Sequence, residues 1–233
     1  MPNYKGIPIR AAPGLHEDCF EIVQSVLSPG ARVLDIAAGA GAFATRLRDA
    51  GYDVHANDID QDGWVIRDIP KSAIDLNLPL HFSLLDGPYD LIVAMEIIEH
   101  LQNPTKLLID CKNLVKPGGY ILFSTPNVLD MDSRFAFLRR GELYHFGPRS
   151  YAATGHMTIL PCWLLELLFA ATGLKVVRRE FGGYHLRGRL SLQCILGRLL
   201  TLVLRPLMKT RYEGELVGNY IAYLLKRDFG GGE

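Results

Sequence analysis

Apolar residues recur along this chain in two rhythms that take turns. From His16 to Leu27 (HEDCFEIVQSVL), Phe20, Val23 and Leu27 fall on one face at helical spacing, and Ser28-Pro29-Gly30 ends the run. RVLDIA (32–37) is a β-type apolar run, and GAGAFATRLRDAG (39–51) is a helix opened by glycines with Gly51 at its end. YDVHAND (52–58) and KSAIDL (71–76) read as short strands, and YDLIVAM (89–95) as a buried one. PTKLLIDCKNLVKPGG (104–119) reads as a helix with proline at its start and Pro-Gly-Gly closing it, followed by the strand YILFSTP (120–126). Further on come an apolar helix PCWLLELLFAATG (161–173) and a strand LKVVRRE (174–180). A helix LSLQCILGRLLTLVLRPLM (190–208) and a last strand GNYIAYLLKR (218–227) complete the pattern.

Strands alternating with helices imply parallel βαβ units with right-handed crossovers, hence an α/β fold built on an open, doubly wound sheet. Such sheets bind ligands beyond the carboxyl ends of their strands, where strand order reverses. The region 127–160 breaks the pattern. It is rich in Arg, Gly, His and Tyr, has no clean period, and is long for a connection, so it is expected to be a lid over an acceptor site.

With 233 residues and 48% hydrophobic content, the chain is expected to form a single domain over 1–233. Its core would span about 15–127 and 161–228, with 127–160 inserted. Formal charge is zero, so no nucleic-acid partner is expected. Four scattered cysteines share no CxxC spacing, and the first residues carry no apolar signal-peptide core; both suggest a cytoplasmic protein. From Arg178 to Arg211 there are eight basic residues and one acid around the leucine-rich run. Two readings of 189–211 stand: a helix packed on the sheet, or an interfacial helix giving peripheral contact with an anionic membrane.

Gly39-Ala-Gly41-Ala-Phe43-Ala44 fits G-x-G-x-x-G/A between a strand and a helix. That pattern alone says only that a ligand approaches backbone near a helix N-terminus, and a nicotinamide dinucleotide would satisfy it. Asp35 tips the balance. Four residues before Gly39, its carboxylate faces the same ligand, unfavourably for a pyrophosphate and favourably for an ammonium group. S-adenosylmethionine carries such an ammonium. Asp58, ending the second strand, can then accept from both ribose hydroxyls. Asp75 can accept from the adenine amino group, with the Leu76 N–H meeting the ring.

VLDIAAGAGAF, Asp58, IDLNLPL, YDLIVAMEIIEHL and LVKPGGYILFSTPN resemble, in order and spacing, the motifs of class I S-adenosylmethionine-dependent methyltransferases over residues 12 to 127. The resemblance implies a Rossmann-like, mostly parallel seven-stranded sheet with a helical C-terminal elaboration. It also adds Ala37, Ile59, Met95 and Glu96 to the cofactor residues. The stretch between Asp58 and Asp75 departs from the family, being too brief for a full crossover helix and strand.

Within that superfamily the sequence is similar to ubiquinone-biosynthesis-type O-methyltransferases and to small methyltransferases of cell-envelope polysaccharide gene clusters. In several relatives E-x-x-E-H and a later histidine hold a divalent cation, which here would be Glu96, Glu99, His100 and His156. A metal-held hydroxyl loses its proton more readily and points a lone pair at the methyl group. The other reading makes His100 a general base, Glu96 a cofactor contact and Glu99 a turn cap. The expected activity is O-methylation of a small-molecule or glycan-like acceptor. N- or C-methylation of a metabolite and a non-catalytic cofactor-binding module are the alternatives.

Overall fold

In a computed structural model, residues 2–60, 63–78, 87–183, 203, 210–212 and 214–228 are described. A short hairpin, β1 (Asn3–Tyr4) and β2 (Ile7–Pro8), stands apart from the main sheet. The main sheet has seven strands: β3 (Arg32–Ile36), β4 (Asp53–Asn57), β5 (Lys71–Ser72), β6 (Tyr89–Met95), β7 (Val115–Pro126), β8 (Leu174–Gly182) and β9 (Tyr220–Arg227). Their order is β5-β4-β3-β6-β7-β9-β8, with β9 antiparallel to both neighbours and the other pairs parallel. Strand order reverses between β3 and β6, which puts the switch point beside Asp35 and Glu96.

The central strands are buried on both faces, which is why they read as continuous apolar runs. Val33, Leu91 and Val93 meet α1 (Leu15–Val26) and α2 (Ala42–Asp49) on one side. Leu34, Ile36, Ile92 and Ala94 meet α3 (Pro104–Leu114) and α6 (Cys162–Ala171) on the other. Each fully buried Leu or Ile contributes about 1.5–3 kcal/mol against exposure, so these two layers carry the fold.

Three elements differ from the expected ones. The third helix ends at Leu114, not at Gly119, because Pro117 disfavours helical backbone at Lys116, and Val115 already pairs with Tyr89. Only Lys71 and Ser72 of KSAIDL pair as strand. Beyond them the Asn57 amide takes over, accepting from the Ile74 N–H at 2.9 Å and donating to its carbonyl at 3.1 Å. The region 127–160 contains two helices, α4 (Met131–Arg140) and α5 (Pro148–Thr154). Asp130 caps α4 by accepting from the Ser133 N–H at 2.7 Å, and left-handed Gly141 and Gly155 end the two helices. Of the helix expected at 190–208 only Val203 is among the described residues, and most of 189–211 lies outside them. No described helix is long and apolar enough to cross a membrane.

Candidate functional site

A cleft of roughly 520 Å³, counted to its open mouth, lies beyond the carboxyl ends of β3 and β6. Its floor is the turn from β3 into α2. Ala37 and Gly39 both adopt left-handed backbone there (φ 58° and 56°), and a Cβ on Gly39 would meet nothing within 4 Å. A ligand can therefore come against Gly39 directly. Gly41 is different. A side chain there would collide with the Trp64 ring at 2.7 Å and with Ile66, so this glycine serves the packing of the 63–66 loop as well as its own φ of 89°.

Of the eleven residues expected to hold the cofactor, Asp35, Ala37, Gly39, Phe43, Met95 and Glu96 line the cleft. Asp58 reaches it through one atom: its Oδ2 accepts from the Gly39 N–H at 2.7 Å, and its Oδ1 from the Asp60 N–H at 2.8 Å. Gly41, Ile59, Asp75 and Leu76 are not among the lining residues; Ile59 is largely exposed, and Asp75 accepts from the Asn77 N–H. Sequence reasoning did not foresee Pro8, Arg10 and Ala11, which wall the same cleft from the amino-terminal segment. The turn at Lys5-Gly6 was the signal for a hairpin there.

Asp35 is 2% exposed and its Oδ2 has no hydrogen-bond partner among the described residues. Burial, and then the neighbouring Asp58 charge, push its carboxyl up to about 8. His16 lines the same cleft edge-on to Phe43, with its Nδ1 unpartnered. Burial and the Arg46 charge hold its imidazole down at about 4, so it is neutral. A buried carboxyl group that keeps one oxygen unpartnered and faces a cleft suits a cationic group; a pyrophosphate would be repelled by it. Glu96 follows β6 in left-handed backbone (φ 49°), and Ser124 holds it by the hydroxyl and the carbonyl. Burial raises its carboxyl.

A second group forms on the 3₁₀ turn Ile98–His100. Ligand atoms of Glu99, His100 and His156 all lie within 4.8 Å of one another. Glu96, expected as a fourth member, is not in this group; it belongs to the cleft wall. Glu99 is fully buried. Its Oε2 accepts from the Thr125 hydroxyl at 3.0 Å, Oε1 has no partner, and burial and the nearby Glu96 raise its carboxyl well above the usual range. His100 is lowered by burial and then by His156, and His156 by burial. The His145 carbonyl lies 3.1 Å from His156 Nδ1, which fixes that nitrogen as the donor and leaves Nε2 as the one with a lone pair. The Met157 and Thr158 N–H groups both donate to the Glu99 carbonyl (2.9 and 3.0 Å), fastening the segment that carries His156 to the turn that carries Glu99.

The comparisons agree with this geometry. A family profile described as "Methyltransferase domain" matches residues 12–179. A ubiquinone biosynthesis O-methyltransferase from Burkholderia thailandensis is 29% identical over 106 residues, 42% of this chain and 46% of that protein. One from Bordetella avium is 29% identical over 134 residues, 54% and 56% of the two chains. The chain thus spans about half the length of the curated relatives it matches. A SAM-dependent methyltransferase structure from Archaeoglobus fulgidus superposes with a TM-score of 0.64 at 18% identity, covering 91% of this chain and 93% of that one. The chain belongs to the methyltransferase domain family, in the class I fold that uses S-adenosylmethionine.

Proposed function

We propose that this protein transfers the methyl group of S-adenosylmethionine to an oxygen of a small-molecule or glycan-like acceptor. The observation that carries the cofactor half is the unpartnered Oδ2 of Asp35 on the cleft floor, a seat for the cofactor's ammonium. Gly39 leaves room for the methionine backbone, and Asp58, already oriented by two N–H groups, receives the ribose hydroxyls. Met95 and Glu96 close the side toward the acceptor. The similarity to ubiquinone O-methyltransferases supports oxygen as the acceptor atom.

On the acceptor side, His100 is the general base: its lowered pKa keeps it neutral and able to take the hydroxyl proton. Residues 127–160, which carry α4 and α5, form the lid. Glu99, His100 and His156 also fit a divalent cation. One carboxylate with an unpartnered oxygen and two neutral imidazoles favour Zn²⁺ or Mn²⁺ over Mg²⁺. When bound, the cation would acidify and orient the acceptor hydroxyl.

Calorimetry tests the cofactor half. S-adenosylhomocysteine should bind and NAD should not, and Asp58→Ala should weaken binding by about 1.5–3 kcal/mol per lost charge-assisted hydrogen bond. Tight NAD binding without S-adenosylhomocysteine binding would sink the reading. Turnover of labelled cofactor in excess EDTA separates the two acceptor mechanisms. Loss of activity at unchanged cofactor affinity supports the cation, and full activity leaves His100 to act alone.

A further inference from the structure

The outer wall of the cofactor cleft is made by residues that belong to neither the main sheet nor its helices. β1 and β2 form a two-stranded ribbon of their own, turning through Lys5 and Gly6 at positive φ. A ribbon this small is not stable alone, so it stays where its contacts hold it. At the tip, the Tyr4 hydroxyl donates to Asp49 Oδ2 at 3.1 Å, and Lys5 Nζ pairs with the same oxygen at 2.7 Å. The Arg46 guanidinium lies over the Tyr4 ring at 4.8 Å. At the other end, Arg10 reaches Asp60 Oδ2 at 3.6 Å, just past β4. Beyond the tip, Pro8, Arg10 and Ala11 share the lining of the cleft with Asp35 and His16.

We propose that residues 2–11 are a latched strap whose opening at Asp49 gates entry and departure of the adenosyl cofactor. The inference rests on the cofactor reading of the cleft. Asp49 is the last residue of α2, the helix whose first turn lines the cleft, so the strap runs the length of that helix, about 12 Å. The latch is polar and the Lys5 side chain is 64% exposed; exposed pairs of this kind are weak and open readily. Lys5, and then Arg48, hold the Asp49 carboxyl down at about 2, so the latch is charged at every working pH. Tyr4, Lys5 and Asp49 do not line the cleft. Loosening them alters how often the strap lifts and leaves the binding surface itself intact.

The test is stopped-flow measurement of S-adenosylhomocysteine association and dissociation. Asp49→Asn removes the ion pair with Lys5 together with the one Asp49 makes to Arg48 within α2, whereas Tyr4→Phe removes only the strap's hydrogen bond and keeps the ring under Arg46. Asp49→Asn should raise both rate constants about two- to fivefold with Kd within about twofold, the range set by the weakness of an exposed pair. Tyr4→Phe should move both the same way by less, and it carries the test if Asp49→Asn melts early. Unchanged rates in both variants overturn the strap. So does faster dissociation with unchanged association and a Kd that rises in step, which would make the segment a fixed wall. A wild-type protein that binds no S-adenosylhomocysteine overturns the cofactor reading instead.

Discussion

On the proposed reading, Asp35 is costly in the empty protein and useful in the loaded one. Raised from 3.8 to about 8, it favours the folded state when neutral. That contribution is complete below pH 3.8 and is lost as pH climbs through about 8. An ammonium placed against it reverses the preference, so cofactor binding at pH 7 should ionise Asp35 and release close to one proton. Titration calorimetry in two buffers of different ionisation enthalpy measures that proton directly. In Asp35→Asn the release should vanish and affinity should fall; an undiminished release would assign the proton to another group. His16 is the neutral counterpart in the same cleft, its imidazole held near 4 and silent over this range. Asp35 was legible in the sequence because a carboxylate stood at the end of an apolar strand. Arg10 and Pro8 were not, because they lie outside every motif and reach the cleft only through the fold of a hairpin.

Among the elements, α4 is the one on which the proposed lid can be tested most directly. Met131 and Ser133 in its first turn are buried and the turn is capped by Asp130, while Phe137, Leu138, Arg139 and Arg140 in its last turn are all exposed. Trypsin should therefore cut first at Arg139 or Arg140, and S-adenosylhomocysteine should slow the cut if this region closes over a loaded site. Asp130→Ala should speed cleavage, since losing the cap costs about 1 kcal/mol. Cleavage indifferent to ligand would end the lid reading. The same exposure explains why α4 could not be read from the sequence. With apolar residues on both faces of the last turn there is no clean helical period, and only the caps, Asp130, Gly141, Pro148 and Gly155, marked the helices. The parallel strands posed the opposite problem and were easy: burial on both faces makes them apolar throughout. Pro117-Gly118-Gly119 misled because the same residues that stop helices also sit at the bulged start of β7.

At the scale of the whole molecule, the two apolar layers meet across one sheet, and the cleft opens where the strand order of that sheet reverses. The pieces were readable one by one, but the grouping of Glu99 and His100 with His156, more than fifty residues away in sequence, depends on backbone bonds between the 3₁₀ turn and the segment after α5. Long-range closure also governs the other end of the sheet. β9 is the last described strand along the chain, yet it occupies an interior place between β7 and β8. On the ribosome, then, β3 to β6 can settle early, while β8 has no neighbour and β7 shows a bare edge until Tyr220–Arg227 emerges. The Asn127 amide must wait as well, since its nitrogen grips the Glu215 and Gly218 carbonyls at 2.7 and 2.8 Å. A chain stopped at Asn219 should accumulate in the insoluble fraction on expression, and a soluble, cofactor-binding product would contradict this order of assembly. The nascent protein thus passes through an interval in which its pocket strands are in place and two adhesive edges are uncovered, the interval when a chaperone matters most to it.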